Sequence, residues 1–208
     1  MKPKDAYRSW SEQYDTNINK TRDLEGFALR KELESISFNN CLEIGCGTGK
    51  NTEWLLTKSE KVTAIDISPE MISKAKEKIR SDKVNFIQVD INKEWNFSKE
   101  KFDLISFSLV LEHIEDLDHI FYEISKALSK EGHVYIGELH PFKQYTGTKA
   151  RFETAEGIQL VTCFDHNISD FINSAKKNGL IISEIDEYFD NEEHIGIPRI
   201  LTLIFQNK

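Results

Sequence analysis

Three glycines at alternate positions, Gly45, Gly47 and Gly49, follow a short apolar run that carries one acid, Cys41-Leu42-Glu43-Ile44. Behind them, Asn51-Thr52-Glu53-Trp54-Leu55-Leu56 reads as the start of a helix. Strand, tight turn and helix therefore succeed one another within a few residues. Glycine enters positive φ at little cost and lets a ligand approach the backbone. The helix start adds unpaired N–H groups and the positive end of a dipole. In open α/β sheets this is where nucleotides bind, at the carboxyl edge of a strand.

The rest of the chain repeats the motif. Predicted strands at Val62–Asp66, Val84–Val89, Phe102–Phe107 and His133–Leu139 alternate with predicted helices at Asn51–Lys58, Pro69–Arg80 and Asp118–Leu128. Ser68-Pro69 supplies an N-cap and a proline at N1, and Gly132 is read as closing the turn after Leu128. Such alternation implies parallel pairing through right-handed crossovers. A helix over Ser169–Lys177, ending at Gly179, leads into two last strands, Leu180–Tyr188 and Arg199–Phe205. The polar loop Asp190–Pro198 is too short to hold a crossover helix, so these two strands are expected to be antiparallel. The acids from Asp186 to Glu193 are read as a solvated loop. Ahead of the first strand, Tyr7, Trp10 and Tyr14 fall on one helix face. A second helix is expected over Asp23–Ser35, capped by Thr21 or Asp23, with Leu24, Phe27, Ala28 and Leu33 inward. Residues 140–166 look irregular. No repeat or linker divides the 208 residues, so a single domain is expected, with 1–35 as a helical lid and 140–166 as a substrate-covering insertion.

Charge and cysteines narrow the partners. Asp and Glu number 35 against 27 Lys and Arg, a net charge of −8. That balance disfavours a phosphate backbone, so no nucleic acid is expected. Cys41, Cys46 and Cys163 are odd in number and lack metal-ligand spacing, which fits a reduced, cytoplasmic setting. Neither a signal peptide nor a run long enough to span a membrane is visible, so no membrane is expected either. The histidines show no short ligand spacing, and no metal is expected. A monomer or homodimer is the expected state.

The strand ends carry the chemistry. Asp66 can accept hydrogen bonds from both hydroxyls of a ribose. Asp90 can take an adenine amine, with Ile67, Met71 and Ile91 around the ring. The third glycine comes one residue too early for a dinucleotide fingerprint, and Lys50-Asn51 does not complete a phosphate-binding loop. A nucleoside without phosphates is left.

Together, Glu43-x-Gly45-x-Gly47-x-Gly49, Asp66, Asp90 and the Ser108-Leu109-Val110-Leu111-Glu112-His113-Ile114 run resemble the class I S-adenosylmethionine-dependent methyltransferases. Within that family the chain is similar to bacterial small-molecule methyltransferases. The carrying features are Asn19-x-Thr21-Arg22-Asp23-Leu24, Glu138-Leu139-His140-Pro141-Phe142, the Gln144 to Phe152 stretch and Pro198-Arg199. The Asp/Asn-Pro-Pro-Tyr motif used on amino groups of bases and of glutamine is missing. The resemblance implies an α/β, Rossmann-like, doubly wound seven-stranded sheet, mostly parallel with an antiparallel last strand, and helices on both faces. It implies S-adenosylmethionine as cofactor, S-adenosylhomocysteine as product and a small-molecule acceptor. The implied cofactor contacts are Glu43, Gly45, Cys46, Gly47, Thr48, Gly49, Asp66, Ile67, Met71, Asp90, Ile91, Phe107 and Leu109. Of these, Glu43 would support the turn.

Acceptor chemistry is less defined. His140 and Glu138, at the end of the fifth predicted strand, are the candidate bases, because histidine titrates near neutrality. His113 reads as a packing residue and His166 as a local cap. Tyr7 and Tyr14 are candidate lid residues. Arg22 and Arg151 are candidates for a carboxylate, which guanidinium pairs bidentately. A module that binds the cofactor without transferring methyl is the alternative.

Overall fold

The computed structural model describes residues 1, 3–10, 14–16, 18–154, 157–191 and 193–207, the side chains at 9, 10, 152–154 and 158 aside. Trp10, expected on the face of Tyr7, has its side chain outside the described residues.

In chain order the elements are α1 (Pro3–Trp10), α2 (Lys20–Glu32), β1 (Asn40–Ile44), α3 (Lys50–Lys58), β2 (Lys61–Asp66), α4 (Pro69–Lys78), β3 (Val84–Gln88) and β4 (Phe102–Ser108). A single 3-10 turn, Leu111–His113, precedes α5 (Leu117–Ala127) and β5 (Leu128–Leu139). After them come α6 (Pro141–Tyr145), β6 (Arg151–Thr154), β7 (Gly157–Leu160), α7 (Ile168–Lys177), β8 (Leu180–Tyr188) and β9 (Ile200–Asn207).

Seven strands form one sheet in the order β3-β2-β1-β4-β5-β9-β8. β1 pairs in parallel with β2 on one side and β4 on the other, so the winding reverses at β1. That reversal opens a crevice at the strands' carboxyl ends, and the glycine turn stands in it. β9 alone runs against its neighbours, antiparallel to both β5 and β8.

Side chains alternate across a strand, and here both faces are buried. Leu42 and Ile44 of β1 join Ile105, Phe107, Phe121 and Phe205 in the core beneath α5 and α7. Cys41 points the other way, with Val62, Ala64, Leu104 and Tyr135 against Leu29 and Leu33 of α2 and Leu55 of α3. Continuous apolar runs in the strands are what a sheet covered on both faces requires.

Several boundaries differ from the sequence reading. α2 starts earlier, at Lys20, because Asn19 is its cap; its side chain accepts from the Arg22 amide at 3.0 Å. Within the helix Phe27, expected inward, is 57% exposed, and Glu25, Gly26, Ala28 and Leu29 are buried. Gly132 does not end a helix, since α5 stops at Ala127 and Gly132 lies within β5. Residues 140–166 are not irregular throughout; they hold α6 and the antiparallel β6–β7 hairpin. Asp186 and Glu187, read as loop, belong to β8. Among the described residues no helix is long and apolar enough to cross a membrane.

Candidate active site

The turn after β1 works because its glycines hold conformations other residues avoid. Gly45, Gly47 and Gly49 have φ of 72°, 54° and 87°. A Cβ on Gly45 would run into the Val110 side chain, and one on Gly49 would stand 2.7 Å from Ile79 Cδ1. Gly49 ends the turn at the N-cap of α3. The Gly47 amide donates to Asp66 Oδ2 at 2.9 Å, and the Ser68 amide to Asp66 Oδ1 at 2.8 Å. One carboxylate thus fixes the turn after β1 and the entry to α4. Burial pushes the Asp66 carboxyl above its ordinary range, against the pull of these amides. Ser68 caps α4, as its sequence position predicts.

Around this turn lies a cavity of about 430 Å³. Gly45 and Gly47 form its floor. Asp66, Ile67 and Met71 line the β2 side, Asp90 and Ile91 the β3 side, and Leu109, Val110 and His113 the β4 side. Tyr7 and Tyr14 close it from the N-terminal segment. Asp90 is oriented by Asn92, whose amide and side chain donate to Oδ1 at 3.1 and 3.0 Å. These acceptors and walls fit an adenosyl group: an apolar slot flanked by two acids, beside a floor without side chains.

The comparisons with known proteins agree. Residues 42–136 match the model of a methyltransferase domain family. The chain is 27% identical to the ubiquinone biosynthesis O-methyltransferase of Pelagibacter ubique, covering 78% of this chain and 70% of that protein. Against the malonyl-[acyl-carrier protein] O-methyltransferase of Acetivibrio thermocellus it is 32% identical, over 71% of this chain and 66% of that protein. Among solved structures, N-methyltransferase NodS from Bradyrhizobium japonicum, in complex with S-adenosyl-L-homocysteine, superposes with a TM-score of 0.70 at 22% identity. That alignment covers 97% of this chain and 98% of the other, and it speaks for the fold. The chain belongs to the class I S-adenosylmethionine-dependent methyltransferases.

Not every sequence candidate reaches the methyltransferase's cavity. Glu43, Cys46, Thr48, Gly49 and Phe107 do not line it among the described residues. Glu43 stands behind the turn, where it accepts from the Thr52 hydroxyl and ties β1 to α3. Burial pushes its carboxyl up to about 8. The Thr48 hydroxyl donates to Asp15, which also holds Lys78 at 2.7 Å, so this residue pins the N-terminal segment. Cys46 and Phe107 are buried packing residues. Arg22 lays its guanidinium over the Tyr14 ring, 4.2 Å from the centroid. Arg151 is exposed at the start of β6 and does not line the cavity.

Both candidate bases of the methyltransferase are otherwise engaged. Glu138 is 2% exposed and accepts from the amides of Val110, Leu111 and Glu112 at 2.8, 2.7 and 3.4 Å. It anchors the turn after β4, where Leu109 takes a φ of 58°. Burial and the neighbouring Glu112 carboxyl push Glu138 up to about 8. His140 caps α6 by accepting from the Phe142 amide at Nδ1, and its Nε2 donates to Glu187 at 2.8 Å. Neither residue lines the cavity. His166, read as a cap, donates from Nε2 to the Ile114 carbonyl at 2.7 Å.

His113, read as a packing residue, stands on the cavity wall and meets Tyr7 at 2.9 Å. Its position five residues past the end of β4, on the rim where the winding reverses, was the available signal.

Proposed function

We propose that this methyltransferase moves the methyl group of S-adenosylmethionine to an oxygen or nitrogen atom of a small-molecule acceptor. The observation that carries the reading is the cover. Tyr7 and Tyr14 close the cavity from one side, and the Tyr14 ring would stand 3.8 Å from a Cβ on Gly47. The segment from Val161 to Cys163 packs beside them, with Val161 against Ala6 and the Thr162 carbonyl on His113. A covered pocket suits a small molecule better than a polymer. Relatives named as O-methyltransferases and a structural neighbour named as an N-methyltransferase leave both atoms within reach.

In this reading Asp66 takes the ribose hydroxyls and Asp90 the adenine amine, with Ile67, Met71 and Ile91 against the ring. Gly45 and Gly47 let the methionine portion lie on the backbone. Arg22, stacked on Tyr14 outside the cavity lining, would pair its carboxylate, and Arg151 is assigned to the acceptor side. The cofactor supplies a methyl carbon that already carries its leaving group. The chain's own part is alignment and exclusion of water, which can supply much of the rate enhancement.

Calorimetry with S-adenosylhomocysteine tests the site. Binding in the micromolar range is expected, and Asp66→Ala should weaken it by more than about tenfold, the loss of two hydrogen bonds to a buried acceptor. Unchanged affinity would remove Asp66 from the ribose role. A screen for tritiated methyl transfer into fractions of a metabolite pool tests the reaction. Binding without transfer to any fraction would favour a non-catalytic cofactor-binding module.

A further inference from the structure

One cluster on the cavity wall has hydrogen-bonding chemistry that its part in the cover does not use. His113 Nδ1 lies 2.8 Å from the carbonyl oxygen of Thr162. A carbonyl only accepts, so Nδ1 carries the proton. In a neutral imidazole Nε2 is then a bare acceptor, and the Tyr7 hydroxyl, 2.9 Å away, must donate to it. The two rings meet edge to face, with centroids 5.5 Å apart. Both residues line the cavity.

Place matters as much as chemistry. Asp66 and Asp90 mark the β2–β3 end of the cavity, His113 and Leu109 the β4 end, and the glycine turn lies between. If the nucleoside occupies the first end, the reacting methyl lies toward the second.

We propose that Tyr7 and His113 form a proton relay for the acceptor, the Tyr7 hydroxyl taking the acceptor's proton as it passes its own to His113 Nε2. This rests on the methyl-transfer reading above. The acceptor's O–H or N–H bond breaks, and its electron pair forms the bond to the methyl carbon. The carbon–sulfur bond breaks with its pair left on sulfur. Positive charge moves from the sulfonium to the imidazolium, whose Nδ1–H stays on the Thr162 carbonyl. Positioned proton transfer of this kind contributes about 100-fold or more.

The surroundings agree. Burial and the neighbouring Tyr14, Glu112, Cys163 and Asp66 hold the Tyr7 phenol well above its ordinary range, so it enters the reaction protonated. The groups facing His113 are Tyr7 from α1, Glu112 from its own turn and Cys163 from the cover. Glu112 Oε1 is 3.9 Å from Nε2, and Cys163 Sγ is 3.8 Å from Nδ1. Lys4 lines the same cavity, and Lys149 bears on Glu112. Glu112 is 6% exposed, and burial pushes its carboxyl above the ordinary range.

Two measurements test the relay, one of them independent of any acceptor. Long-range nitrogen–proton spectra of the protein with labelled histidine, bound to S-adenosylhomocysteine, should show His113 protonated at Nδ1. Tyr7→Phe should shift its Nε2 resonance. An Nε2–H tautomer, or an unmoved resonance, overturns the relay even if transfer is intact. The second measurement uses the acceptor found in the tritium screen. Tyr7→Phe and His113→Gln should each lower kcat/KM by about 100-fold while S-adenosylhomocysteine affinity stays within about threefold. Retained kcat/KM in both variants overturns the relay alone, and absence of transfer by the wild-type protein overturns it together with the methyl-transfer reading.

Discussion

At the scale of single residues, the site depends on side chains that are absent as much as on those present. Gly45 combines a φ of 72° with the Val110 side chain where a Cβ would go. Gly45→Ala should therefore cost about 1–3 kcal/mol and abolish tight cofactor binding. A thermal melt alongside calorimetry checks it; a variant that melts and binds like the parent would contradict the geometry. Glu138 makes a different demand. Its three amide donors would be orphaned by Glu138→Ala, at about 1–3 kcal/mol for each buried group left unmade. Denaturant titration should show that loss before any assay of activity does, as befits an anchor. Legibility also divides at this scale. The place of Asp66 and Asp90 on the cavity wall was readable because Asp66 ends β2 and Asp90 follows β3 by two residues. That Glu138 and His140 stand off the cavity wall was not readable, because their partners are backbone amides and, for His140, a glutamate 47 residues on, and a side-chain pattern records neither. His113 was read as a packing residue because the carbonyl that sets its tautomer belongs to Thr162, in a stretch with no motif.

Elements were easier to read than their registers. The alternation from β1 to β5 showed in the sequence because apolar runs, caps and glycines recur at the right spacing. α2 slipped by three residues because Thr21 and Asp23 look as good a cap as Asn19; apart from that, Phe27 was read inward although it is exposed. The pieces between 141 and 160 were missed because α6, β6 and β7 are four or five residues long, too short for a period to show. The cap on α2 has a measurable weight. Asn19→Ala should cost about 1 kcal/mol and lower Tm by about 2–4 °C for a chain of this size. Because Arg22 sits in the first turn of that helix, its stacking on Tyr14 should loosen too, seen as weaker S-adenosylhomocysteine binding.

For the molecule as a whole, buried acid is the dominant electrostatic fact. Burial pushes Glu25 up to about 7 and Glu43 and Glu138 up to about 8. Unfolded glutamate titrates near 4.3. Across the interval the folded chain holds protons that the unfolded chain has released, so these groups make stability fall as pH rises. His133 and His140, lowered by burial, act in the opposite sense, but mainly below their unfolded value of about 6.5. From about pH 7 to about pH 9 the acids should prevail, with a loss of order 1 kcal/mol or more. A Tm that climbs over that range would show the carboxyls are better solvated than their burial indicates. Sheet order, finally, has a consequence for how the chain assembles. β5 borders β4 on one side, but its other neighbour, β9, arrives only after α6, the β6–β7 hairpin, α7 and β8. During synthesis the cofactor-binding half can therefore be in place while β5 still presents an open, apolar edge. Such edges recruit other chains, and long-range pairing closes slowly. Chains arrested soon after residue 140 should accumulate as aggregates, and the closing of β9 between β5 and β8 should be the step that completes the sheet.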